Sequence, residues 1–374
     1  MPGPEAYEVI VVGGGVAGAA CALRAAQYNI RTAWVLGDKE TARMSRGRWV
    51  SNIDNMIGVH SGIVLEKLRT AWKSRPDLLE AIDALPHLHI GTQEIIDNTH
   101  DRLDEFGDLV TKVEAAAIHA SRPEEDGFEV ETEHPEHRSL RAPALILSTG
   151  VMDRQPLIAR EKAGKLSDST HWIYPYANQE TILYCVRCEG HLTHSMRCAV
   201  IGASEAAAQI ALMLAERYDS VCCILANGEE RAIEPRTMRL LERHGIPIHD
   251  GRLVEVMGKP DALHGFRLED GTEVAVDYAF VSLGFHRIYN DLARELGAAL
   301  HEKDGPDHLK HVRVDRHAET SVPGLFAVGD MAMRSDEPVM KQIYTAQEYA
   351  VRAVDLIDRR RRHGLRRSIL NEEE

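Results

Sequence analysis

Hydrophobic positions along this chain fall into short runs separated by glycine turns and small-residue helices. Val9-Ile10-Val11-Val12 is an uninterrupted apolar run, the pattern of a strand buried on both faces. Gly13-Gly14-Gly15-Val16-Ala17-Gly18 follows, then a small-residue helix through about Tyr28 and a strand over residues 32–36. The order restarts with Arg197-Cys198-Ala199-Val200-Ile201, the turn Gly202-Ala203-Ser204-Glu205-Ala206-Ala207, a helix to about Arg217 and a strand over 221–225. Two such openings predict an α/β chain with two Rossmann-like nucleotide folds on parallel sheets. Between 75 and 140 the pattern predicts amphipathic helices near 78–85 and 95–106. A hairpin-like region at 109–117 and 128–132 is then broken by the acidic turn Pro123-Glu124-Glu125-Asp126-Gly127.

Gly13-x-Gly15-x-x-Gly18 between strand and helix is a dinucleotide fingerprint. The first glycine makes the turn, the second lets backbone approach a pyrophosphate, and the third lets helix and strand pack closely. The helix N-terminus then offers unpaired N–H groups to the phosphates.

Tyr184-Cys185-Val186-Arg187-Cys188-Glu189-Gly190 carries a second kind of chemistry. Two intervening residues allow both sulfurs to close a disulfide across the first turn of a helix. That position, with Arg187 nearby, is expected to lower a thiol pKa below the free value of about 8.5. A thiolate is what attacks a partner disulfide. Zinc ligation by Cys185, Cys188, His191 and His194 is the competing reading, as are inert core cysteines. Structural zinc sites usually separate their ligand pairs by a loop, so the redox dithiol is preferred, no metal is expected, and the histidines read as polar neighbours. Cys21, Cys198, Cys222 and Cys223 lie in apolar elements and read as buried hydrophobes.

A strand over 320–330 ends in Gly329-Asp330, and a helix begins near Lys341. With these motifs the chain resembles the low-molecular-weight thioredoxin reductase family, from about Glu8 to Leu356. The resemblance implies FAD at Gly13, Gly15 and Gly18. It places Asp330, after Gly329, on the ribityl chain, and Lys341-Gln342 where the family has Arg-Gln beside the isoalloxazine. Residues 53–58 resemble the family's Val-Glu-Asn-Phe-Pro-Gly, making Asn55 a flavin contact. Ser148-Thr149-Gly150 resembles the Ala-Thr-Gly strand end, with Thr149 and Gly150 where the chain leaves the FAD domain. It further implies an FAD domain of 1–156 and 287–374, an inserted dithiol domain of 157–286, and a homodimer. In that pattern Cys188 faces the flavin, Cys185 exchanges with a partner, and Glu189 replaces the aspartate that handles the thiol proton.

The second turn departs from the family. Ser204 stands at the close-approach glycine, Glu205 adds negative charge, and Ala226-Asn227 replace an arginine pair of the 2′-phosphate clamp, leaving Arg231. Losing charge-assisted contacts of about 1.5–3 kcal/mol each disfavours NADPH. The leading expectation is therefore an FAD-dependent thiol–disulfide oxidoreductase that exchanges with a thioredoxin-like protein or small dithiol. Ferredoxin, or a second flavin or nucleotide in the inserted domain near Trp172, Tyr174 and Tyr176, remains open. The alternatives are an O2-using dithiol oxidase, an ordinary NADPH–thioredoxin reductase, and a non-catalytic flavin redox sensor.

Charge and length add exclusions. The formal net charge of −14 argues against nucleic acid, which selects a basic face. The arginine-rich stretch 359–367 reads as a solvated helix end. No apolar run approaches the ~18–20 residues of a membrane span, and residues 1–8 lack a basic leader, so a cytoplasmic protein without membrane contact is expected.

Overall fold

The computed structural model describes residues 7–43, 46–48, 53, 56, 61–84, 90–124, 127–162, 165–334 and 341–371. Asn55, expected to touch flavin, lies outside them. Contacts divide the chain into two compact units, one of Met1–Arg48, Gly91–Met152 and Arg287–Glu374, the other of Trp49–Ile90 and Asp153–His286.

The elements that position the site are, in chain order, β1 (Val9–Val12), α1 (Val16–Gln27), β2 (Thr32–Val35), β3 (Val110–Val113), β4 (Ala144–Leu147), α2 (Val186–Glu189), β5 (Arg197–Ile201), α3 (Glu205–Tyr218), β6 (Val221–Leu225), α4 (Pro235–Arg243), β7 (Tyr278–Val281), β8 (Leu325–Ala327) and α5 (Ile343–Asn371).

In the first unit five described strands form a parallel sheet of order β8-β4-β1-β2-β3, with β1 central and all four of its residues buried. A strand hydrogen-bonded on both edges and covered on both faces can be wholly apolar, as Val-Ile-Val-Val is. Ala17, Ala19, Ala22, Ala25 and Ala26 are the buried residues that let α1 lie close to its neighbours. Helix α5 packs along α1, where Arg24 and Tyr28 both donate to Asp355, at 3.2 and 2.9 Å.

In the second unit a parallel sheet runs Ile182–Leu183, β7, β5, β6, Ile248–His249. Its core gathers Val200, Leu212, Leu214, Ile224, Leu241 and Phe280 around α3, and Val186 packs into the same cluster. That side chain anchors α2 to the sheet's core.

The predicted elements differ from the structure between 61 and 142. The predicted helices become Pro76–Asp83 and Thr92–Asp104, and a further helix, Ser61–Ala71, carries little sequence periodicity. The expected hairpin splits. Its first arm, β3, pairs in parallel with β2, while Ala117–Glu124 and Gly127–Thr132 pair antiparallel across the acidic turn. No described helix is long and apolar enough to cross a membrane.

Candidate functional site: a dinucleotide cradle and a closed dithiol

At the C-terminal end of β1 the three glycines have separate jobs. Gly13 has φ +125°, and a Cβ there would lie 2.4 Å from the Ser148 carbonyl oxygen. A Cβ on Gly18 would lie 1.9 Å from the Gly13 carbonyl oxygen, so this residue fixes how closely α1 meets the turn. Gly15 differs: nothing lies within 4 Å of where its Cβ would be. Open space at the mouth of α1, no side-chain cap on Gly15 and no acidic residue in the first turn leave the helix N–H groups facing outward. A pyrophosphate fits such a cradle.

Other segments converge on the same end of the sheet. Ser148 donates from Oγ to the Val12 carbonyl oxygen at 2.8 Å. Thr149 Oγ1 contacts the Tyr289 carbonyl oxygen at 2.5 Å and Met331 Sδ at 3.1 Å, and Gly150 takes φ +72°. Gly329 adopts φ +70°, and a Cβ there would stand 3.0 Å from Ala17 Cβ, so only glycine brings Asp330 against α1. Asp330 Oδ2 accepts from Arg46 at 2.7 Å, and its carbonyl oxygen accepts from Lys341 Nζ at 2.5 Å. Gln342 is buried just before α5. Gly13, Gly15, Gly18, Thr149, Gly150, Gly329, Asp330, Lys341 and Gln342 thus belong to one region of the first unit, the end of the sheet where ligands of open α/β folds bind. This donor set, with an open phosphate mouth and a partly buried carboxylate, fits FAD.

The dithiol lies in the second unit. Cys185 and Cys188 are joined as a disulfide, with Cα atoms 5.3 Å apart. Cys185 caps α2, and its carbonyl oxygen accepts from the amides of Cys188 and Glu189, both at 3.0 Å. Glu189 is buried and reaches back: its Oε2 accepts from the Cys185 amide at 3.2 Å. Tyr184 donates to Gln155 Oε1 at 2.6 Å, and burial pushes its phenol above the usual tyrosine range. His191 and His194 are exposed. The remaining cysteines are buried and outside any disulfide; desolvation raises Cys198 to about 11 and Cys223 to about 12 and pushes Cys21 and Cys222 up as well. Thiols held that high are poor nucleophiles at neutral pH.

A family model for pyridine nucleotide-disulphide oxidoreductases matches residues 7–350, which include the cradle, the dithiol and Asp330. The chain belongs to that family. Membership implies a flavin and a nucleotide site. It is 25% identical over 334 residues to the F component of alkyl hydroperoxide reductase in Pseudomonas putida, covering 87% of this chain and 54% of that protein. The chain thus spans about half the length of the curated relatives it matches. Thioredoxin reductase from Streptococcus pyogenes MGAS5005 superposes with a TM-score of 0.70 at 18% identity, covering 94% of this chain and 97% of the other. HlmI superposes at 0.71 and 18% identity, covering 100% and 97%. These last two establish a shared two-domain fold.

In the second nucleotide fold of this family member the helix start is occupied by the chain's own side chains. Ser204 caps α3 with its own hydroxyl, accepting from the Ala207 amide at 3.3 Å. The Glu205 carboxylate accepts from Gln209 Nε2 (2.8 Å), Thr237 Oγ1 (2.7 Å) and the Glu234 amide (2.9 Å), tying α3 to α4. Those bonds, Gln209 first, hold its pKa below the ordinary glutamate value. Arg231 is engaged by Asp250 through two bonds of 2.6 and 2.5 Å. Asn227, at an expected arginine position, takes φ +53°, donates to the Leu157 carbonyl oxygen and accepts from the Leu253 amide. It is a turn residue here.

Sequence reasoning missed Arg46 and His311, which contact Asp330 and Lys341. The basic triplet Arg46-Gly47-Arg48 was the only available signal for the first; His311 carried none.

Proposed function

We propose that the enzyme passes electrons between FAD and the Cys185–Cys188 pair, and from there to or from an external dithiol or disulfide, with NADPH not an efficient donor. The observation that carries this reading is the disulfide closed at the start of α2, with the buried Glu189 carboxylate on the Cys185 amide. FAD, when bound, supplies a store for the electron pair. Gly13, Gly15 and Gly18 would hold its pyrophosphate, Asp330 its ribityl chain, and Lys341 with Gln342 the ring end, near Thr149 and Gly150.

In the oxidising direction a thiolate of the external dithiol attacks Cys185 Sγ. The Cys185–Cys188 bond breaks and its electron pair leaves on Cys188. The second external thiolate then attacks the mixed disulfide and releases Cys185. The external dithiol ends as a disulfide, and the enzyme's pair ends as two thiols holding the two electrons. Glu189 holds or returns a proton beside Cys185. Potentials decide the direction, and a thioredoxin-like protein or a small dithiol suits the exchange. A homodimer is the expected assembly.

The donor reading is supported by the second fold. A dinucleotide phosphate there would meet a capped helix start and the Glu205 carboxylate, and a 2′-phosphate would have to displace Asp250 from Arg231. Anaerobic mixing separates the cases. Dithiothreitol is expected to bleach the visible flavin band of the wild-type enzyme and not of Cys188→Ser, while NADPH leaves the band intact. Rapid bleaching by NADPH would return the enzyme to an ordinary NADPH-dependent reductase. Bleaching of the Cys188→Ser variant by dithiothreitol at the wild-type rate would remove the dithiol from the path.

A further inference from the structure

Ahead of α5, the Lys341 ammonium makes two short contacts, each of 2.5 Å, to the Asp330 carbonyl oxygen and to Nε2 of His311. His311 directly precedes the strand Val312–Val314, which pairs in parallel with Ala332–Arg334, and its carbonyl oxygen accepts from the His301 amide at 2.8 Å. Strand pairing thus sets the imidazole beside the Gly329-Asp330 turn, where it is 8% exposed.

An ammonium group has donors only, so the ring nitrogen facing it must accept. His311 is therefore neutral, with its proton on Nδ1. Burial, then the positive charges of Lys341 and Lys303, lower its pKa to about 3; His301 adds to this and Asp330 opposes it. The imidazole adds no charge of its own. It is a fixed acceptor that decides where a flexible lysine places its charge.

We propose that His311 is a positioning residue that pins the Lys341 ammonium against the Asp330 carbonyl oxygen, just ahead of α5 in the chain, and that this pair raises the reduction potential of the bound flavin. The inference rests on the reading that Asp330 and the start of α5 face the flavin. Two-electron reduction with uptake of one proton leaves the ring anionic, and a fixed cation beside the Gly329-Asp330 turn favours that charge. A lysine free to swing into water would favour it less.

The test is the flavin midpoint potential of the holoenzyme, from anaerobic titration against reference dyes, beside FAD affinity. Lys341→Met is expected to shift the redox equilibrium about tenfold toward oxidised flavin, about 30 mV lower. His311→Leu is expected to move it at least threefold the same way. His311→Gln, which keeps an acceptor near the Nε2 position, stays within twofold of wild type. Adding His311→Leu to Lys341→Met produces no further shift. A wild-type potential in His311→Leu beside a shifted Lys341→Met, or full additivity of the two, overturns the inference. If Lys341→Met keeps the wild-type potential and Asp330→Ala keeps wild-type FAD affinity, the flavin-site reading itself has failed. Should His311→Leu not fold, His311→Phe removes the same acceptor and carries the same comparison.

Discussion

Gly15→Ala and Gly18→Ala, two small changes in one glycine motif, are expected to act in opposite ways. Gly15→Ala places its methyl in open space, on a backbone with φ −79° and ψ −178° that alanine adopts without strain. Losing glycine at a helix N-cap costs about 0.5–1 kcal/mol, and the stiffer unfolded chain returns about 0.4–1 kcal/mol, so the apoprotein keeps its stability. The methyl does, however, stand where the pyrophosphate would approach. Losing one charge-assisted contact of about 1.5–3 kcal/mol weakens FAD binding roughly tenfold to a hundredfold. Gly18→Ala puts a methyl 1.9 Å from the Gly13 carbonyl oxygen and 2.8 Å from Ser148 Oγ. Backbone must move, and the cost exceeds the ~1–3 kcal/mol of ordinary overpacking. Thermal melts of the apoproteins and flavin-fluorescence titrations read both effects. Wild-type FAD affinity in Gly15→Ala would refute the placement of the pyrophosphate, and a collapsed apoprotein would refute the open space.

Other outcomes follow from the same geometry. Because the folded pKa of His311 lies far below its unfolded value, the unfolded chain binds more protons between about pH 3 and 6.5, and stability falls as pH drops through that window. Urea melts should show up to about 2 kcal/mol lost from pH 6.5 to 5 in wild type, with a flatter profile in His311→Gln; equal slopes would exclude this source. Arg231→Ala is expected to change NADPH affinity less than twofold, since Asp250 already engages the guanidinium; a tenfold loss in isothermal titration would show that the pair opens to bind phosphate. Glu189→Gln keeps an acceptor for the Cys185 amide but cannot take a proton, so dithiol-driven flavin bleaching should slow tenfold or more with the fold intact, and an unchanged rate across pH would exclude the proton role.

What the sequence disclosed was local. The strand, the three glycines and α1 are contiguous, and each has its own physical signature, as does the spacing of Cys185 and Cys188. Partners distant in the chain were hidden. Arg46 and Asp330 are 284 residues apart, and nothing near either announces the other. The pattern of 109–117 suggested a strand but paired it wrongly, as a hairpin arm with 128–132, because a short apolar run does not say that its partner is the distant, parallel β2. Asn227 and Arg231 were legible as missing and surviving basic residues. That Asn227 builds a turn and Arg231 is held by Asp250 depended on the folded neighbourhood.

The connectivity of the two sheets has a consequence for biosynthesis. The second sheet and its dithiol are complete once residues 182–281 have emerged, whereas the first sheet waits for β8, and α1 waits for α5. A chain leaving the ribosome therefore finishes the inserted fold before the one it interrupts. Cys185 and Cys188 are thus synthesised, together with the whole sheet that carries them, before the Gly329-Asp330 turn that the cradle needs.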